Sequence, residues 1–152
     1  MKKVLLALAM AIIAFAASAE DTVTGAALTI RSDIQSFLRS EGYAPSIDDD
    51  GDIKFKKEGL LYFISVENYY DMVYVATFYM MGIEDCTMSK VRIAADQAQR
   101  AFKFVRCDVG DKVLFFKVCL PINSVNEYKA MFDYILEILS LARDRCIEEY
   151  NN

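Results

Sequence analysis

The stretch from Ile34 to Val66 reads IQSFLRSEGYAPSIDDDGDIKFKKEGLLYFISV, and it decides the fold. Phe37 and Leu38 close an apolar series that Ile30 and Ile34 begin at helical spacing, so a helix runs from about residue 26. Gly42 gives it a C-terminal stop, and Pro45 forbids continuation. Asp48-Asp49-Asp50-Gly51-Asp52 has the look of a calcium loop, but Ser46 would stand at its first position and Lys57 where a bidentate Glu is required. An acidic turn using Asp-Gly chemistry is the simpler account.

After that turn Ile53 and Phe55 alternate with Lys54 and Lys56, the period-two pattern of a half-buried strand. Lys57-Glu58-Gly59 then turns the chain into a second strand, residues 60–66. Glu is a poor first residue for a two-residue type I′ turn, which needs positive φ at both central positions. The expectation is therefore a three-residue loop with Gly59 left-handed. It places Ile53, Phe55, Leu61 and Phe63 on one face and Lys54, Lys56, Tyr62 and Ile64 on the other. A slip of one residue would exchange the faces of the second strand.

Further along, residues 67–71 read as a polar turn and 72–81 as a third strand, apolar on both sides and so central in its sheet. Residues 87–103 form a second helix with Val91, Ala94, Ala95 and Ala98 in its stripe. Its cations Lys90, Arg92, Arg100 and Lys103 read as a solvated face rather than an anion site. Gly110-Asp111 suits a type II′ turn in a last hairpin, pairing Val109 with Lys112. Val105, Cys107, Val109, Leu114, Phe116 and Val118 then share the core face; Arg106, Asp108, Val113, Phe115, Lys117 and Cys119 share the other. Pro121 ends that strand, and Asn123 or Ser124 caps a long third helix reaching about residue 149. Met131, Tyr134, Ile138 and Leu141 widen its apolar stripe, either to sink it in its own sheet or to meet a second copy.

The order is helix, three antiparallel strands, helix, two-strand hairpin, helix, in a single α+β domain. It spans residues 20–152, because residues 1–19 read as a signal peptide. Lys2 and Lys3 precede an apolar run that closes on the small-residue site Ala17-Ser18-Ala19. That run is too short for a stable membrane anchor. The expectation is export, to a periplasm or the medium. The full chain of 152 residues carries a net charge of -5, and losing Lys2 and Lys3 makes it more acidic. Such a chain is poorly suited to nucleic acid, whose binding is supplied by cations on phosphates.

Cys86, Cys107, Cys119 and Cys146 have no C-x-x-C spacing, so neither a redox motif nor a metal site is indicated. The third helix must run back across the last strand, which brings Cys146 to the Gly110 end of the hairpin. Cys107–Cys146 is the leading disulfide, with Cys86 as rival partner and four unpaired thiols as the plain alternative.

Gly42-Tyr43 at the end of the first helix, Asp52-Ile53-Lys54-Phe55 in the first strand and Gly59 at the hairpin carry a family resemblance. With the element order, they make the chain similar to the YbjN-type sensory transduction regulators and to the type III secretion chaperone-like fold. The resemblance implies a protein-binding or chaperone-like module, often dimeric, with no catalytic residues to carry over. The export signal departs from the secretion chaperones, which are cytoplasmic.

The chain contains no histidine, which removes Ser-His-Asp and Cys-His nucleophiles and every His-containing metal site. No cofactor, metal or catalytic set stands out, and a carboxylate hydrolase is the distant alternative. The expected function is non-catalytic binding of a protein or peptide, or of a second copy through the third helix. A small ligand or a structural role in the envelope is the alternative. The expected surface is the non-core sheet face, with Lys54, Tyr62, Ile64, Phe115 and Lys117, joined by Tyr74 or Phe78. The same face could instead be covered by the protein's own helix or a dimer mate.

Overall fold

Helix α1 (Gly25–Ser40) ends in a complete Schellman cap. The Tyr43 N–H donates to the Leu38 carbonyl at 2.9 Å and the Gly42 N–H to that of Arg39 at 3.1 Å, with Gly42 at φ +87°. The cap throws Tyr43 onto the core, edge-on to Phe55 and Phe132. The computed structural model describes residues 25–152; the signal peptide assigned to residues 1–19 lies outside the described residues.

The chain continues through β1 (Ser46–Ile47), β2 (Ile53–Lys57), β3 (Leu60–Tyr69) and β4 (Met72–Gly82). Helix α2 (Met88–Ala101), β5 (Arg106–Val109), β6 (Val113–Ile122) and α3 (Val125–Asn151) complete it. The six strands form one antiparallel sheet in the order β1-β2-β3-β4-β6-β5. This is the α+β domain expected, with β4 inside the sheet and one short strand added. Sequence periodicity could not find β1, because two residues after Pro45 carry no alternation. The acidic turn joins β1 to β2. Asp48 Oδ1 accepts the N–H groups of Asp50 and Asp52 at 3.2 and 2.9 Å, and Gly51 takes φ +85°.

The β2–β3 hairpin corrects the expected register. Lys57 pairs with Leu60, so the turn has two residues, and Glu58 and Gly59 both lie at positive φ, 51° and 81°. Phe55 then faces Tyr62 and Ile53 faces Ile64. Tyr62 and Ile64 are buried on the core face, and Leu61 and Phe63 point the other way. The cause is the far end of the strand. The observed register puts Val66 in the core, whereas the expected one would put Ser65 there. A left-handed Glu costs about 1–2 kcal/mol, and fully burying a Val gains about 1.5–3 kcal/mol. The strand overrules the turn.

Two other turns differ from expectation. Residues 67–69 stay in β3, so the chain reverses at Tyr70-Asp71 alone, with Tyr70 at φ 54°. In the last hairpin Val109 pairs with Leu114 and Cys107 with Phe116, closed by a Gly110 N–H to Val113 carbonyl bond of 2.8 Å. Gly110 is not left-handed, so this is a four-residue loop and not a type II′ turn. The shift is two residues, and both faces of the hairpin stand as expected.

All three helices bury their stripes in one cluster with Ile53, Phe55, Tyr62, Ile64, Val75 and Phe116. The sheet is therefore covered on one face. On α3, Ile138 is buried but Met131, Tyr134 and Leu141 are exposed. No helix among the described residues is long and apolar enough to cross a membrane.

Candidate functional site

The opposite face of the sheet is built by strand alternation alone. Pairing runs from Lys54 to Phe63, from Phe63 to Phe78, from Phe78 to Lys117 and from Lys117 to Arg106. These five side chains make one row across five strands, cation–aromatic–aromatic–cation–cation. Beside it, Met80 pairs with Phe115 and Phe115 with Asp108, while Lys56 pairs with Leu61. On the other side lie Ser65, Ala76 and Cys119, then Glu67, Tyr74 and Pro121.

The aromatics pack on one another. Phe63 and Phe78 stack at 5.2 Å with their planes 11° apart, and Phe115 meets Phe78 at 6.3 Å, edge-on. The Lys117 ammonium sits 5.7 Å from the Phe78 ring centroid. Phe63 is only 8% exposed, yet it stands outside the core cluster, sheltered by its neighbours on an uncovered sheet. Among the described residues no helix crosses this face.

Its electrostatics are graded. Arg106 is paired with Asp108 at 2.7 Å, but Lys54, Lys56 and Lys117 enter no ion pair among the described residues. Toward Glu67 the face turns acidic. Burial raises the Asp52 carboxyl above its ordinary value, opposed by hydrogen bonding from Ser65 and reinforced by Asp48, Glu67 and Asp50. Burial also raises the Cys119 thiol, with Glu67 adding to the effect and Lys117 opposing it.

Of the residues expected here, the structure brings Lys54, Phe115 and Lys117 to this face, with Phe78 and Tyr74. Tyr62 and Ile64 belong to the core instead, 3% and 0% exposed, because of the one-residue register difference in β3. Phe63 takes the place expected of them. The signal that could have found it is Leu60, Tyr62, Ile64 and Val66, an apolar series longer than Leu61 and Phe63, which gives way to Ser65 and Glu67.

Elsewhere, a groove of about 260 Å³ opens between the β2–β3 turn and α3, lined by Lys57, Tyr62, Glu137 and Ser140 among others. An apolar cavity of about 150 Å³ lies between Met81, Ile83, Cys86, Leu114, Cys146 and Ile147. All four thiols are free in this structure, with Cys107 packed against the same core as Cys86 and Cys146. Among the described residues no three His, Cys, Asp or Glu side chains gather in a way that could hold a metal ion. On α2, Arg100 bonds Asp96 at 2.9 Å and Lys90 lies 5.8 Å from the Tyr150 ring, so these two cations are spent within the chain.

No family model matches the chain, and no curated protein matches it. Among solved structures it is similar to YbjN from E. coli, with a TM-score of 0.50 and 8% sequence identity. The match covers 73% of this chain and 86% of that one. The fold is YbjN-like.

Proposed function

We propose that the protein is an exported, non-catalytic binding module whose uncovered sheet face takes a protein or peptide partner. The observation that carries this reading is the transverse row Lys54–Phe63–Phe78–Lys117, aromatic at its centre, cationic at its ends and crossed by no helix among the described residues. A face with that composition suits polypeptide recognition, since aromatics supply rigid contact area at low entropic cost and flanking charges set orientation. YbjN itself is described as a candidate transcription regulator, and the likeness to it carries the fold alone. Export rests on Lys2, Lys3, the apolar run and Ala17-Ser18-Ala19.

Selection from a displayed random-peptide library on the purified protein tests the reading. Binders should emerge whose affinity drops at least tenfold on Phe78→Ser, a change that leaves the core cluster intact. Failure to select any binder sensitive to that substitution would sink it. Export is tested by intact mass after expression with the leader, which should leave Glu20 as the first residue.

A second reading, self-association through α3, is favoured by the exposed apolar side chains Met131, Tyr134 and Leu141. Light scattering over a dilution series decides it: a dimer that Leu141→Glu converts to a monomer supports it, and a monomer throughout removes it.

A further inference from the structure

We propose that the occupant of the sheet face is an acidic amphipathic helix of a partner polypeptide, lying across the strands; this rests on the face being a polypeptide-binding surface. The direction comes from the register. Along β3 the outward side chains pass from Leu61 and Phe63 to Ser65 and Glu67, so on that strand the apolar surface dies out within two positions. Along β4 it continues through Ala76 to Tyr74, and the crossing direction is set by Lys54 and Lys117 at the two ends of the Phe63–Phe78 row. Across the strands it persists through Phe63 and Phe78 in one row and Met80 and Phe115 in the next. An added β-strand would pair with a sheet edge, and here the apolar surface lies on the face.

The dimensions suit a helix. Lys54 and Lys117 are separated by three strand spacings, roughly 14 Å. That is the length of about nine or ten helical residues. The two apolar rows lie about 7 Å apart along the strands, a width that one apolar helix stripe fills.

The sign comes from the charges. The chain as a whole is acidic at -5, yet the cations framing this patch, Lys54, Lys56 and Lys117, enter no ion pair among the described residues, and Lys117 rests only over the Phe78 ring that the partner would cover. A helix with carboxylates at both ends of its apolar stripe neutralises them while the stripe covers Phe63, Phe78 and Phe115. A cationic helix would leave them opposed, which costs more as water is excluded.

The test uses three labelled peptides and fluorescence anisotropy on the purified protein. One is a stapled helix of fourteen residues (about four turns) with Leu and Phe on one stripe and Glu flanking it. The second has Lys in place of Glu, and the third is the acidic peptide unstapled and broken by proline. The acidic helix should bind at least tenfold tighter than either other peptide. Phe78→Ser should abolish binding, and Lys54→Glu with Lys117→Glu should reverse the preference toward the cationic helix. If the cationic or broken peptide binds as well as the acidic helix, and Phe78→Ser still removes it, the face is a binding surface and the partner chemistry is wrong. If no peptide binds in a Phe78-dependent way while the random library still yields Phe78-sensitive binders, the helix proposal alone falls; if the library yields none either, both readings fall. A duplex oligonucleotide that binds through Lys54 and Lys117 more tightly than the acidic helix would overturn the proposal in favour of phosphate. Self-association lost on Lys117→Glu, without peptide binding, would overturn it in favour of a second copy.

Discussion

The hydroxyls of Thr77 and Tyr128 lie 2.7 Å apart, both fully buried, and tie the centre of β4 to the first turns of α3. Each satisfies the other where no water reaches, and burial drives the Tyr128 phenol well above its ordinary value. Thr77→Val should cost about 1–3 kcal/mol, because it leaves the Tyr128 hydroxyl buried without a partner. Tyr128→Phe should cost a similar amount by orphaning Thr77. The double variant should be more stable than the sum of the singles by over about 1 kcal/mol, since two apolar groups leave nothing unsatisfied. Urea midpoints across the four proteins measure this. Strict additivity would mean that the bond contributes nothing.

Glu58 holds φ 51° in the β2–β3 turn, a conformation that Asn tolerates far better. Glu58→Asn makes the turn Asn-Gly and should raise stability by about 0.5–1.5 kcal/mol, part of the left-handed cost. Glu58 is exposed and enters no ion pair among the described residues, so the substitution removes strain and little else. A fall in the urea midpoint would mean that the turn is not of this type.

That turn also shows where the sequence is legible. Element order, the Schellman stop at Gly42 and the stripes of α2 and α3 follow from periodicity and punctuation. Register was harder, and its two errors had different weight. In the β5–β6 hairpin the pairing differs by two residues, so Phe115 and Lys117 still face outward. In β2–β3 it differs by one, which sends Tyr62 and Ile64 to the core and Phe63 to the open face. Local turn chemistry at Glu58 spoke against the observed register, and only the contribution of Val66 to the core settles it. The row Lys54–Phe63–Phe78–Lys117 joins four strands, and no local pattern within one of them displays it.

Alkaline pH should destabilise the fold. Burial is the leading cause that pushes the Cys107 thiol up to about 12 and Cys146 up to about 11, from an ordinary 9.0, and Tyr128 moves the same way. Between those limits the folded protein keeps protons that the unfolded chain releases, so unfolding is favoured as pH rises. The contribution is fully present below pH 9 and declines from there toward 11–12. Urea midpoints at pH 8, 9, 10 and 11 should fall steadily above 9. Cys107→Ala with Cys146→Ala should flatten part of that slope while lowering the midpoint at pH 8. A flat profile in the parent protein would contradict the burial of these groups.

The same two thiols are the pair expected to form a disulfide if the protein is oxidised. Cys146 is 2% exposed at the end of α3, and Cys107 lies on the core face of β5, near enough to Cys146 that Cys146 raises its cost of ionising, as Cys86 raises that of Cys146. Cys86 is the competitor, since it lines the same apolar cavity as Cys146. Oxidised glutathione supplies the test: its disulfide takes two electrons and two protons from the pair and leaves as two thiols. Peptide mapping without reductant should then recover residues 107 and 146 cross-linked. Cys119, exposed on the open sheet face, should remain alkylatable by iodoacetamide in the native protein. Recovery of a Cys86–Cys146 link instead would reassign the bond to the cavity, and rapid native alkylation of Cys146 would mean that the end of α3 is not packed as described. A Cys107–Cys146 bond would pin α3 to the short edge strand β5 and leave Phe63, Phe78 and Phe115 untouched. Oxidation should therefore raise the urea midpoint without changing peptide affinity at the open face.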